Sequence, residues 1–492
     1  MERLDRTETN SPKAGGEASL NEVDLVTSQK MDRRMLLKTD AVILVQLVAI
    51  ATLEFLDKNS LAYSAILGLR TDTNLVGQQY SWLGSIFYFG YLSALPLSAF
   101  LVTRMRVGQL VGISTAGWGV CLMCMAACHN FGGLATVRFF LGVFEASILP
   151  CFMNLSAAWY KRSEQPLRTA FWYNTFAGIF GGICAYGIAT RDAPLESWKI
   201  MFLIYGSITV VIGTLSTFLL PDKPARAWFL NATEKVQAEV RLKENQQVSE
   251  STNFSFAQCL EALLSPEYWT LVIFAIAQSI TNAGVTNFNP LVISGFGFSA
   301  QRTTLLATPQ AAVAFIAQST LSILVLYLPN IRCLIWVFSC LPALAGALMI
   351  HLVDHTTQRG TALAGVYLMG FYNVSWVMAL ALATANTSGK TKKAFVSSSM
   401  AVAYAVGNIV GPQFFRSDQS PTYKLGIFAM LVCYIIMACC GIAYWGIVLW
   451  LNKSRASAQA KTSTPEGHSV AMNDQGKLDM TDRENVNFVY AY

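Results

Sequence analysis

The stretch RFFLGVFEASILPCF, residues 138–152, sets an arginine and a glutamate inside a run that is otherwise apolar from Leu134 to Trp159. A run of that length and character reads as a membrane-spanning helix. A charged side chain in hydrocarbon costs a few kcal/mol even on lenient insertion scales, so one is seldom held there without a function or a partner. The spacing of Arg138 and Glu145 puts both on one helix face, roughly 10 Å apart along the axis. Gly142 lies between them on nearly the same face, where a missing side chain lets a neighbour approach the backbone. The ladder has two readings, a grip on a solute or a salt bridge, made within this helix or to the first spanning helix.

Outward from this stretch, the pattern repeats. The chain has 492 residues, 53% of them hydrophobic and 13% charged, against about a quarter charged in soluble domains. Apolar runs of spanning length recur near 41–56, 82–103, 107–128, 134–159, 169–190 and 200–220. After a polar gap they resume near 269–292, 304–328, 332–353, 361–384, 395–415 and 425–451. These runs are numbered helices 1 to 12 below. The fold class they predict is an all-α integral membrane protein with twelve transmembrane helices in two six-helix bundles. The expected organisation is a disordered cytoplasmic tail (1–38), a first bundle (39–221), a cytoplasmic connector (222–265), a second bundle (266–452) and a cytoplasmic tail (453–492).

Charge sets the expected orientation. Most of the 35 Lys and Arg fall in the tails and in the loops on their side, so the positive-inside rule puts both termini in the cytoplasm. Residues 1–40 are polar and charged, so helix 1 is expected to act as an uncleaved signal anchor. The basic excess is juxtamembrane and indicates lipid headgroups rather than nucleic acid. Among the 11 cysteines, Cys121, Cys124 and Cys128 share helical spacing. No histidine or carboxylate joins them in that run, so they read as packing residues and not as a metal site. There is no Walker A sequence, no HExxH and no nucleophile elbow. An enzyme is therefore not expected, no cofactor is implied, and any transport would draw on a gradient.

Other polar residues stand out within the spans. Glu54, Asp57 and Lys58 at the end of helix 1 are spaced to pair with one another, or to form a charged rim at the outer face with Lys58 snorkelling. In helix 7, Asn282, Asn287 and Asn289 precede Pro290, the mixture of polar residues and helix breakers found where transporters bind solutes. Asparagines that bridge helices give the same pattern. Helix 10 presents Tyr372, Asn373 and Trp376. Helix 5 carries a glycine face suited to close packing. The connector has an amphipathic patch near residues 232–243, expected at the membrane surface. The basic loop NTSGKTKK (386–393) is expected to meet lipid headgroups.

Several stretches together resemble the allantoate permease family of fungi, anion:cation symporters of the major facilitator superfamily. They are FLDKNSLAYSAILGL (55–69), QYSWLGSIFYFGYL (79–92), RFFLGVFEASILP (138–150), LPDKP (220–224), GFGFSAQRTTLLATP (295–309), NTSGKTKK (386–393), GNIVGPQFF (407–415) and TDRENVNFVY (481–490). The resemblance implies the major facilitator fold and proton-coupled uptake of a small organic anion such as a carboxylate, ureide or vitamin. It also implies roles: Lys58 and Arg138 for the anion and Glu145 for the proton. There are departures. The loop TRMRVG after helix 2 lacks an acid usual in the superfamily, helix 6 has Tyr205 where a glutamate is expected, and Ser294 precedes GFGF.

The expected site therefore comprises Lys58, Arg138, Asn282, Asn287, Tyr372 and Asn373 for the solute, with Glu145 and Asp57 for the proton. If helix 4 enters from outside near Leu134, Arg138 lies roughly 6 Å and Glu145 roughly 16 Å below that edge. Lys58 is then expected at the outer end of helix 1. The expected molecule is a functional monomer in the plasma membrane whose partners are an organic anion, a proton and the bilayer. Efflux of a drug or secondary metabolite, and nutrient sensing without transport, are the competing functions.

Overall fold

A computed structural model describes residues 31–161, 164–172, 176–191, 194–246, 254–328, 330–354, 357–462, 480–485 and 487–492. The regular elements among them are helices. Eleven are long and apolar enough to cross a membrane. The remaining place, the fifth, is taken by Gln165–Trp172 and the shorter apolar helix Ala177–Ala189. The expected two sets of six are thus present, joined by a connector that contains helices Ala232–Gln246 and Phe256–Leu263.

Helix 1 is much longer than its apolar run. It extends from Met31 to Ile66, so residues 31–38 of the expected disordered tail are helical, and residues 1–30 lie outside the described residues. Its second half keeps going because its polar groups find partners inside the protein. The Asp57 carboxylate accepts a bond from Trp118 on helix 3, and Ser60 and Ser64 donate to their own helix's carbonyls. Hydropathy alone undercounts such a helix.

Close backbone approaches set the packing within the first bundle. A Cβ on Gly142 would lie 2.0 Å from the Phe87 carbonyl oxygen of helix 2, and one on Gly90 would meet the Phe139 carbonyl of helix 4 at the same distance. The gap in the charged ladder is therefore filled by helix 2. Helices 3 and 6 meet through Gly112 and Gly213 in the same manner.

The two ends of the molecule differ. At one end, here the seam face, the halves are joined directly. The Tyr80 hydroxyl donates to the Asn287 carbonyl (2.7 Å), Ser81 to Phe415 (3.1 Å), Ser85 to Ile409 (2.6 Å) and Gln301 to Ala189 (3.1 Å). At the opposite tail face, ion pairs run within each half. Connector helix Ala232–Gln246 is held to the first bundle by Lys38–Glu234 (2.6 Å) and by the Gln237 amide on Asp32 (2.6 Å), and Arg241 pairs with Glu164. The Lys38 ammonium, hydrogen-bonded to the Glu234 carboxylate, holds that carboxyl below its ordinary range. The expected amphipathic patch is thus a clasp on the first half.

Candidate functional site

Helices 1 and 4 meet at the ladder. The Lys58 ammonium lies 2.6 Å from Glu54 Oε1 on its own helix and 2.5 Å from Glu145 Oε1 across the helix pair. The Glu145 side chain is 1% exposed, whereas those of Lys58 and Glu54 are about a quarter exposed. The buried carboxylate thus meets a partly exposed pair. Lys58 is not at the rim, because the helix runs eight residues beyond it to Ile66. At 1.5 Å per residue it lies about 12 Å below that end. Lys58 and Glu145 therefore share one level, which corrects the expectation that Lys58 sits above the acid.

Arg138 is a different kind of cation. It is 3% exposed, its guanidinium lies 5.7 Å from the centre of the Phe87 ring, and its buried Nε has no hydrogen-bond partner among the described residues. Glu145 pairs with helix 1, and among the described residues Arg138 makes no ion pair. Asp57 is 1% exposed; its Oδ2 accepts from Trp118 Nε1 at 2.5 Å while Oδ1 has no hydrogen-bond partner among the described residues.

The position of Glu145 follows from a break. The first segment of helix 4 ends at Glu145 and a second starts at Ile148. Pro150 lacks an N–H and its ring clashes with the carbonyl four residues back, that of Ala146. The Ser98 hydroxyl donates to that carbonyl instead (3.3 Å), and Ser147 turns to Ser114 on helix 3 (2.7 Å). The fourth helix of the second half, helix 10, is also interrupted, by a 3-10 turn at Met369–Phe371 just before Tyr372. Both interruptions fall beside residues of the site.

The second half faces this cluster with neutral polar and aromatic groups. The Tyr372 hydroxyl donates to Asn282 Oδ1 (2.9 Å), and Asn282 Nδ2 donates to Asn408 Oδ1 (3.0 Å). Tyr404 lies 5.7 Å from Trp376 and 5.9 Å from Tyr88, ring centre to ring centre. Tyr88 in turn packs edge-on against Phe87, the ring under Arg138. An unbroken series of side chains thus joins the charged cluster to the amide network.

Two expected residues stand elsewhere. Asn287 belongs to the seam: its side chain donates to the Ala283 carbonyl of its own helix, and its carbonyl accepts from Tyr80. It lies more than a turn beyond Asn282, where helices 2 and 7 close on each other, so it does not join the network. Asn373 is half-buried beside Tyr372 and makes none of the network's bonds. Glu54, Tyr88, Tyr404 and Asn408 belong to the site although the sequence did not single them out for it. For Tyr404 and Asn408 the available signal was two polar groups one turn apart in helix 11.

The cluster holds three carboxylates, Glu54, Asp57 and Glu145, against the two cations Lys58 and Arg138. One proton would balance it. Burying unbalanced charge is costly. Among the described residues, no group of His, Cys, Asp and Glu is placed to hold a metal ion.

Comparison with known proteins agrees with this architecture. Residues 47–412 match the family model of the Major Facilitator Superfamily. An uncharacterized transporter of Schizosaccharomyces pombe is 34% identical over 471 residues, 95% of this chain and 89% of the relative. The allantoate permease of Saccharomyces cerevisiae is 31% identical over 482 residues, 95% of this chain and 88% of the permease. Among solved structures, a bacterial homologue of the human lysosomal transporter Spinster, inward-facing and unoccupied, matches with a TM-score of 0.59 at 15% identity. That match covers 83% of this chain and 96% of the other, and it concerns the fold. The chain is a transporter rather than an enzyme, and it belongs to the major facilitator superfamily, among the transporters related to the fungal allantoate permease.

Proposed function

We propose that this transporter carries a small organic anion into the cell together with a proton, by alternating access. The observation that carries the reading is Arg138, a buried cation whose Nε has no partner among the described residues, within a cluster that has one more acid than it has cations. A guanidinium offers paired N–H donors that match a carboxylate. The name of the allantoate permease relative also favours an anionic solute.

The orientation that follows puts the tail face in the cytoplasm, as its basic residues favour. The closed seam is then extracellular, and the site opens inward. In the outward-open state, Glu145 takes a proton from outside and Arg138 takes the carboxylate of the solute. Asp57 is the second acid of the proton site, held by Trp118. The proton and the anion enter as a neutral pair, so loading adds no net charge to the buried cluster, and the halves rock to close the seam. The solute leaves to the cytoplasm, the proton follows, and Lys58 settles against Glu145, the contact present in this structure. Asn282 and Tyr372 supply the neutral, hydrogen-bonding wall for the body of the solute.

The protein acts as a monomer in the plasma membrane in this scheme. A radiolabelled uptake screen of monocarboxylates and ureides, at acidic and neutral external pH, tests it. Uptake of an anion that rises with external acidity supports the assignment; uptake only of neutral or cationic solutes rejects it.

A further inference from the structure

Outside the transport site, the strongest polar construction is on the tail face of the second half. Residues 480–485 and 487–492 return to the protein there as a strap. Asp482 is 1% exposed, and its carboxylate receives the Lys392 ammonium (2.6 Å), the Tyr490 hydroxyl (2.8 Å) and the Ser388 backbone N–H (3.2 Å). Lys392, expected among lipid headgroups, is instead 3% exposed and also binds Glu261 of the connector (2.8 Å).

Two asparagines treat the strap as an adjacent strand would. Asn386 at the end of helix 10 donates to the Ala491 carbonyl (2.8 Å) and accepts from its N–H (2.7 Å). Asn452 on helix 12 does the same for Tyr490, at 2.9 and 3.0 Å. Arg455 donates to the Asp482 and Phe488 carbonyls (2.6 and 2.7 Å) and lies 4.7 Å from the centre of the Tyr490 ring. Paired amide contacts on successive peptide units, with a buried carboxylate anchor, are how a protein holds an extended peptide. Lipid packing needs none of them.

The strap also joins parts that are otherwise separate. Connector residue Gln258 accepts from the Thr391 and Lys392 N–H groups, capping the start of helix 11, and Glu261 accepts from Thr481 of the strap (2.9 Å). Helix 12, the helix 10–11 turn and connector helix Phe256–Leu263 therefore meet on one short peptide.

We infer that the tail face of the second half is a peptide-binding site whose ligand is the chain's own segment 480–492. Its occupancy makes helices 10, 11 and 12 and the connector move as one body. The interruption at Met369–Phe371 lies in the same helix 10. A free helix 10–11 turn would let that helix flex there instead of transmitting the rocking motion.

The test is to place a site-specific protease sequence within residues 463–479, purify the full-length protein, and cut it after folding. The freed 480–492 segment should stay with the body through size-exclusion chromatography. Asp482→Asn should shorten its retention by about 100- to 4,000-fold, the scale of breaking a buried ion pair. Tyr490→Phe is the gentler second variant and should weaken retention less. In proteoliposomes, transport should fall when the segment has left and return on adding a synthetic 480–492 peptide, but not its Asp482→Asn version. Immediate release from the unmodified protein overturns the inference, and so does transport that is equal with and without the segment. Retention and peptide rescue are read with whatever solute is transported, so their failure leaves the proton-anion reading standing, and failure of that reading does not alter retention.

Discussion

The Lys58 ammonium is held 2.5 Å from the Glu145 carboxylate, across the contact between helices 1 and 4, and is shared with Glu54 on its own helix. This one cation therefore both joins two helices and balances the buried acid assigned to the proton. In the proposed cycle a proton on Glu145 weakens its hold on Lys58, a direct route from proton binding to helix movement.

Glu145→Gln imitates the protonated acid permanently. Accumulation driven by a pH gradient should be lost, while exchange of labelled for unlabelled solute across the membrane persists. Paired uptake and counterflow assays in proteoliposomes check this. Unchanged concentrative uptake would remove Glu145 from the proton path.

Arg138→Ala should weaken solute binding. A hydrogen bond to a charged group contributes about 1.5–3 kcal/mol, which corresponds to about 10- to 100-fold in affinity. Arg138→Lys should recover part of the loss, since it restores the charge without the paired donors. Surface expression must be followed in parallel: a fall in the amount of folded protein, with normal transport per molecule, marks the arginine as structural.

The twelve spans were legible because lipid imposes length and apolarity on each crossing. So was the ladder, since two charges in an apolar helix are conspicuous. The pairing of Lys58 with Glu54 was legible from its spacing, whereas its pairing with Glu145 stayed one of two readings. Pairing across helices depends on how far helix 1 extends and how it is rotated, and its polar second half hid both. The helix 7 asparagines show the same limit. Asn282 and Asn287 look alike in sequence, yet one belongs to the network with Tyr372 and the other to the seam. Lys392 misled for a further reason: its acid partners, Glu261 and Asp482, are remote in the chain.

Trp118→Phe removes the donor to Asp57 Oδ2. A buried group deprived of its partner costs about 1–3 kcal/mol, so the melting temperature in detergent should drop. Adding Asp57→Asn should recover part of that drop, because the unpaired group no longer carries charge. If the double variant is as unstable as the sum of the singles, the two residues are not coupled.

Tyr80→Phe deletes the 2.7 Å bond to the Asn287 carbonyl at the seam. The net value of such a bond is about 1 kcal/mol, or roughly 5-fold in the balance between seam-closed and seam-open forms. A cysteine placed under the seam should then label faster from that side with a membrane-impermeant reagent. Unchanged labelling would show that this bond does not hold the seam shut.

The most direct test of the account is to record anion accumulation and internal acidification together, in proteoliposomes carrying an imposed pH gradient. The account predicts that the solute accumulates above its external concentration, that the lumen acidifies in step with it, and that both stop in Glu145→Gln and on adding a protonophore. Accumulation without proton entry, or an indifference of solute flux to the gradient, would contradict it.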